Sequence, residues 1–167
     1  GFSYGDLLAG TALPAAVAMA LRQRNRTGEG LYVELAQREN LTAFVGEYIV
    51  DYSMNGQLRP PLGNRHPYNA PHNRYQSAGE EQFVTIACES DEQFQALCGV
   101  LQRPDLAADP RFATREARKA NETDLDPEIE AWTSVRGHYD AMFVLQPHPV
   151  PCGGVLLGPE VMADPQL

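Results

Sequence analysis

At 167 residues, 43% of them hydrophobic and 21% charged, the chain is long enough to bury a core as one domain or as two small ones, and its composition is that of a globular protein. The 22 acidic against 13 basic residues leave a formal charge of −9, which repels phosphate backbones and anionic lipid and so counts against nucleic acid and membrane surfaces as partners. No stretch approaches the ~20 apolar residues of a membrane helix; the nearest is 12–21, with Pro14 inside it, and nothing at the start of the chain reads as a secretory signal.

Residues 7–24 are rich in alanine and leucine, with Asp6 in front as an N-cap and Arg22, Arg24 and Arg26 near the far end, where cations favour the helix dipole. This predicts a helix that is kinked at Pro14 or starts late because of it. Residues 27–30 form a turn, and 31–36 alternate apolar and polar as a short strand does. From Arg38 to Met54, Leu41, Phe44, Val45, Tyr48, Ile49 and Tyr52 recur at steps of three and four, which predicts a single helix whose aromatics belong to the core. Asn55 and Gly56 end it. Four prolines between Pro60 and Pro71 then make the stretch to Asn73 a long loop, and such loops in compact domains are functional or disordered.

Residues 74–77 and 82–88, on either side of a turn at 78–81, predict an antiparallel hairpin. Ser90 three residues before Gln93 marks a capping box, and Phe94, Leu97, Cys98 and Leu101 supply the apolar face of the helix it opens. A turn-rich connection at 104–112 precedes helices expected over 114–120, 125–135 and 139–145. Pro147, Pro149, Pro151, Gly153 and Gly154 interrupt the pattern before a short closing segment.

No nucleophile elbow, P-loop, zinc-protease helix or dinucleotide fingerprint is present. Asp6 reads as a plain N-cap, or as a carboxylate beside backbone N–H groups able to bind a developing anion. His66 and His72 stand with Asn64 and Asn73 along the proline-rich loop, but no cysteine or acid nearby completes a ligand set, so no metal is expected. Glu47 and Asp51 share a helical face and read as solvated carboxylates rather than an acid–base pair. His138 and His148 read as ordinary surface histidines. Cys88, Cys98 and Cys152 are odd in number, widely spaced and without a CxxC pair, which argues against disulfides and structural zinc and fits a reducing cytoplasm.

Several strings stand together in order. Tyr4-Gly5-Asp6 opens the first helix, Arg26-Thr27-Gly28-Glu29-Gly30 closes it, and Val33-Glu34-Leu35 follows. Gly63-Asn64-Arg65-His66-Pro67, Ala70-Pro71-His72, Arg103-Pro104-Asp105-Leu106, Asp109-Pro110-Arg111-Phe112 and Asp164-Pro165-Gln166-Leu167 come after. Over nearly its whole length the chain thereby resembles the family III CoA-transferases, which include formyl-CoA transferase, carnitine and benzylsuccinate CoA-transferases and the alpha-methylacyl-CoA racemases.

The resemblance implies an α+β fold in three parts. Residues 1–60 would be a helix–strand–helix piece of a Rossmann-like large domain with the connecting helix. Residues 61–148 would be a small domain with an antiparallel hairpin or sheet and several helices, and 149–167 a return linker. It implies a homodimer in the cytoplasm, with an acyl-CoA and a carboxylic acid as substrates and no bound cofactor. Asp6 matches the family's nucleophilic aspartate, expected to form a mixed anhydride and then an aspartyl-CoA thioester. The stretch 63–72 matches a covering loop that is glycine-rich in the formyl-CoA branch. It is not so here, which counts against formyl-CoA, and Asn64, His66 and His72 become the expected acyl or acceptor contacts.

Leu31 replaces a usual glutamine, Asn73 a usual glycine, and Pro147-His148-Pro149 a segment commonly richer in alanine and glycine. The family's CoA-binding basic residues lie upstream of the matching aspartate, as does the racemases' histidine, so the chain by itself is expected to bind CoA poorly. Two rivals remain open. One is a racemase relative in which Asp6 shuttles an α-proton; the other is a truncated, non-catalytic chain that associates through exposed helix faces.

Overall fold

The computed structural model describes residues 3–166, which fall into two compact units that divide after Pro60. In the first unit, α1 (Tyr4–Thr27) runs unbroken through Pro14 and ends on Gly28, whose φ of 77° is the left-handed C-cap conformation that glycine adopts at no steric cost. Its N-cap is Ser3, so Asp6 is the third helical residue and not the cap expected from the sequence. The early start has a physical reason: Pro14 forfeits only the bond to Gly10, and the ten residues before it make enough turns to hold the helix together. By length and composition α1 is also apolar enough to cross a membrane, contrary to expectation, because its alanines and leucines keep mean hydropathy high on both sides of Pro14.

Residues 31–36 form no strand. Strands exist through ladder partners, and among the described residues none pairs with this segment. The helix expected over 38–54 is broken into α2 (Gln37–Thr42), a 3₁₀ turn at Ala43–Val45 and α3 (Gly46–Asn55); Gly46, a poor helix former, begins the second piece. Phe44, Tyr48 and Tyr52 are more than half exposed, at 53%, 56% and 54%, so the described unit leaves uncovered the stripe their spacing marks as core. Only Ala9 is buried here among the described residues.

The second unit holds the hydrophobic core. β1 (His72–Gln76), β2 (Phe83–Ala87) and β3 (Cys152–Val155) make an antiparallel sheet in that order. The hairpin of β1 and β2 is as expected. β3 is not, since two of its four residues are glycine and it was read as part of a linker. It pairs with β2 in a register that sets Thr85 opposite both Arg74 and Gly153. Side chains alternate across the sheet: Tyr75, Val84 and Ile86 face inward and are buried, while Arg74 and Thr85 face outward and are exposed.

Against the inner face pack helices α4 (Asp91–Leu101), α7 (Glu122–Thr133) and α8 (His138–Leu145) through Phe94, Leu97, Leu101, Leu125, Ile129, Ala141 and Leu145. α5 (Pro104–Ala108) and α6 (Arg115–Ala120) bridge α4 to α7, and α9 (Gly158–Met162) follows β3. Fully burying each large apolar side chain is worth ~1.5–3 kcal/mol, so this cluster carries the stability of the unit. Ser90 caps α4 by accepting from the Gln93 amide at 3.3 Å, while the Gln93 side chain accepts from the Glu89 amide at 2.7 Å, one residue further out than in a standard capping box.

Candidate functional site

Asp6 lies in the first turn of α1, an exposed carboxylate where backbone N–H groups lack intrahelical acceptors and the helix dipole favours negative charge. Its own amide donates to the Ser3 carbonyl at 3.2 Å. No hydrogen bond or ion pair engages its side chain among the described residues.

The second unit contains a groove of about 560 Å³ over the outer face of the sheet, walled by residues 63–65. Its floor is built of small side chains: Thr85 and Ala87 on β2 and Gly153 on β3. The Thr85 hydroxyl donates to the Gly153 carbonyl at 3.0 Å, which ties the floor together. Two of the three residues expected to contact substrate, Asn64 and His72, line the groove; His66 does not.

Hydrogen bonds separate the roles of the two histidines. His66 Nδ1 accepts from the Tyr68 and Asn69 amides at 3.2 and 3.1 Å, so the neutral ring carries its proton on Nε2 and pins the loop backbone. His72 Nδ1 stands 2.8 Å from the Asn64 carbonyl and must donate to it, which leaves Nε2 as an acceptor in the neutral ring. The rings lie 5.2 Å apart, and no group of three or more metal-ligating side chains forms among the described residues.

Asp126 on α7 supports the groove from behind. It accepts from Arg65 Nη2 at 2.9 Å, Asn73 Nδ2 at 3.2 Å and the Tyr75 hydroxyl at 2.9 Å. Burial, with the Asp126 charge beside it, pushes the Tyr75 hydroxyl above its ordinary range. Arg118 on α6, fully buried, donates to the carbonyls of Ala70, Phe112 and Ser90 and so anchors the backbone just before β1. Burial also pushes the Cys88 thiol up to about 12 and Cys98 to about 11, so neither offers a thiolate nucleophile at neutral pH. His138, expected on the surface, is 3% exposed. Its Nδ1 contacts Gln82 Oε1 at 3.1 Å, and Nε2 lies 3.1 Å from Glu160 Oε1 without hydrogen-bond alignment. The Glu47 side chain makes no hydrogen bond or ion pair among the described residues, whereas hydrogen bonds from Asn55 and Arg59 hold the Asp51 carboxyl below its usual range.

The sequence pattern of CoA-transferase family III matches residues 1–167, the whole chain. The chain belongs to that family. This family III chain is 35% identical over 165 residues to a succinyl-CoA–D-citramalate CoA-transferase of Chloroflexus aurantiacus, covering 99% of the chain and 41% of the relative. It is likewise 35% identical over 166 residues to an acetyl-CoA:oxalate CoA-transferase of Acetobacter aceti, covering 99% and 42%. Its fold matches the crystal structure of a CaiB/BaiF family protein from Brucella suis with a TM-score of 0.90 at 31% identity, over 99% of this chain and 43% of that one. The chain thus spans about two fifths of the length of the relatives it matches. Family motifs pointed to the loop of the groove and not to the sheet beneath it: Arg74 and Thr85 lie outside those motifs, and only the outward phase of the β1–β2 hairpin marks them.

Proposed function

We propose that these residues belong to an enzyme that moves coenzyme A between carboxylic acids through a covalent intermediate on Asp6. The position of Asp6 carries this reading: an exposed, unengaged carboxylate in the first turn of a helix, in a chain matched throughout by CoA-transferase family III. The Asp6 carboxylate attacks the thioester carbonyl, the C–S bond breaks, and CoA thiolate leaves a mixed anhydride. The thiolate then attacks the aspartyl carbonyl, releasing the donor's carboxylate and leaving aspartyl-CoA. The acceptor carboxylate displaces the thiolate as a second anhydride, and attack of the thiolate on the acceptor's acyl carbon releases the new thioester and free Asp6.

A carboxylate is a weak nucleophile in water, so the reaction depends on a held geometry and on donors aimed at the oxyanion. The loop with Asn64, His66 and His72 fits a role on the substrate side, His66 through the backbone it pins and Asn64 and His72 through the groove they line. Two relatives, a succinyl-CoA–D-citramalate and an acetyl-CoA:oxalate CoA-transferase, support a dicarboxylic acid among the substrates. α1 is then read as a helix of a protein interior, apolar around its circumference because further chain of a longer protein or of a second subunit covers it, rather than as a membrane span.

The test is to incubate the chain with succinyl-CoA and acetyl-CoA in hydroxylamine and to map added mass by peptide mass spectrometry. A hydroxamate on Asp6, absent in Asp6→Asn, is expected. No adduct with either thioester overturns covalent catalysis by this polypeptide, and solvent deuterium entering the α-carbon without an adduct would instead favour a racemase.

A further inference from the structure

We propose that the groove over the outer face of the sheet is a carboxylate subsite in which Arg74 binds one carboxylate of a small dicarboxylic acid, the acceptor of the transfer proposed above. The charge of the groove is the first observation. Its lining includes Arg65, Arg74 and His72 and not one aspartate or glutamate, in a chain with 22 acids and a formal charge of −9. With Arg65 paired to Glu122 and Asp126 and the His72 ring neutral, the uncompensated charge of the groove is that of Arg74, and a concave wall carrying one sign of charge concentrates the opposite sign.

The state of Arg74 is the second. Arg65 is committed to Glu122 and Asp126, and Arg103, Arg111, Arg115, Arg118 and Lys119 each pair with a carboxylate. Arg74 has no such partner among the described residues. Its guanidinium lies over the Phe83 ring at 4.0 Å from the centroid. Stacking fixes the plane and leaves the N–H edges free, and a fixed guanidinium edge matches a carboxylate with two parallel hydrogen bonds.

Shape is the third. Arg74, Thr85 and Gly153 form one row across the three strands. The missing side chain at Gly153 and the short ones at Thr85 and Ala87 keep the floor low and leave room for a small acid against Arg74. His72, two residues along the same strand, directs Nε2 as an acceptor once Nδ1 has bonded Asn64, so beside the arginine there is a partner for a hydroxyl or a protonated group of the same acid.

The inference rests on the transferase reading but is tested apart from it. The ¹⁵N-labelled chain is titrated with succinate, with uncharged succinamide, with inorganic phosphate and with CoA, and the amide shifts of Arg74, Thr85 and Gly153 are followed. Succinate is expected to shift them saturably and succinamide not. Arg74→Gln is expected to weaken succinate about tenfold or more, Arg74→Lys to retain part of the binding, and Arg136→Gln to leave it unchanged. Arg136 is the control because it too lacks a carboxylate partner among the described residues and is stacked, on Trp132, away from the groove. Arg74 is exposed, so an otherwise unchanged amide spectrum verifies that its variants stay folded. Succinate shifts that survive Arg74→Gln overturn the proposal, as do equal shifts with succinamide, or shifts by phosphate or CoA without any by succinate. Trapping at Asp6 reads only the nucleophile, so either result can fail without the other.

Discussion

Arg118 shows how one residue can organise a loop from inside. Its guanidinium is fully buried and donates to Ala70 at 2.8 Å, Phe112 at 3.2 Å and Ser90 at 3.4 Å, with Asp91 at 2.8 Å and the Phe94 ring 4.6 Å from its centre. Three backbone segments far apart in sequence therefore share one donor, and one of them leads directly into His72. The Ser90 carbonyl also accepts from the Phe94 amide at 3.3 Å, so Ala70 and Phe112 depend on Arg118 most, and each buried carbonyl left without a donor costs ~1–3 kcal/mol. The Asp91 side chain is half exposed, so its ion pair is screened and is worth at most ~1 kcal/mol. Arg118→Met is accordingly expected to lower the urea unfolding free energy by ~3 kcal/mol or more, and Asp91→Asn by less than ~1 kcal/mol. Equal losses from the two variants would mean that the ion pair, not the carbonyls, is what Arg118 serves.

Among elements, β3 is the least conventional. Gly153 and Gly154 are poor strand formers, yet β2 holds the strand by pairing, and α8 makes Gly154 necessary: a Cβ there would stand 2.9 Å from His138 Cδ2. Gly154→Ala is expected to destabilise by ~1–3 kcal/mol in thermal unfolding, as overpacking does. Its cost should shrink in the His138→Ala background, where the obstructing ring is gone; an undiminished cost would place the strain elsewhere. The same strand shows what local sequence does not reveal. The cap at Ser90, the stripe of α4 and the turn at 78–81 between two strand-like runs are local signals, and each became the element it marks. β3 has almost no side-chain pattern and exists through a neighbour 68 residues away, Thr85 to Gly153. Residues 31–36 are the converse, a clear alternation with no described partner to pair with. The stripe of 38–54 was legible too, but its break at 43–45 depends on backbone geometry that periodicity does not encode. In the groove, Asn64 and His72 were found through the loop, whereas Arg74 needed the sheet's facing and the stack on Phe83.

At the scale of the molecule the two units differ in what holds them. Residues 61–166 bury Phe94, Leu97, Leu125, Ile129 and Leu145 almost completely, and each contributes ~1.5–3 kcal/mol against the entropy of ordering the chain. Residues 3–60 bury Ala9 alone and leave Leu7, Val17, Tyr48, Ile49 and Tyr52 between 44% and 56% exposed. Most helical stability in proteins comes from tertiary packing of an apolar face, which the described residues give these helices little of, and the chain spans 41% of a relative it matches at 35% identity. Hydrogen exchange on the chain by itself is therefore expected to be fast throughout α1, α2 and α3 and slow in β1, β2, α4 and α7, with limited proteolysis leaving a resistant product that begins near residue 61. Strong protection of α1 in a monomer at low concentration would contradict this. Protection that rises with protein concentration would instead show a second copy covering the apolar faces, the one arrangement in which this chain alone could give α1 the interior its composition asks for.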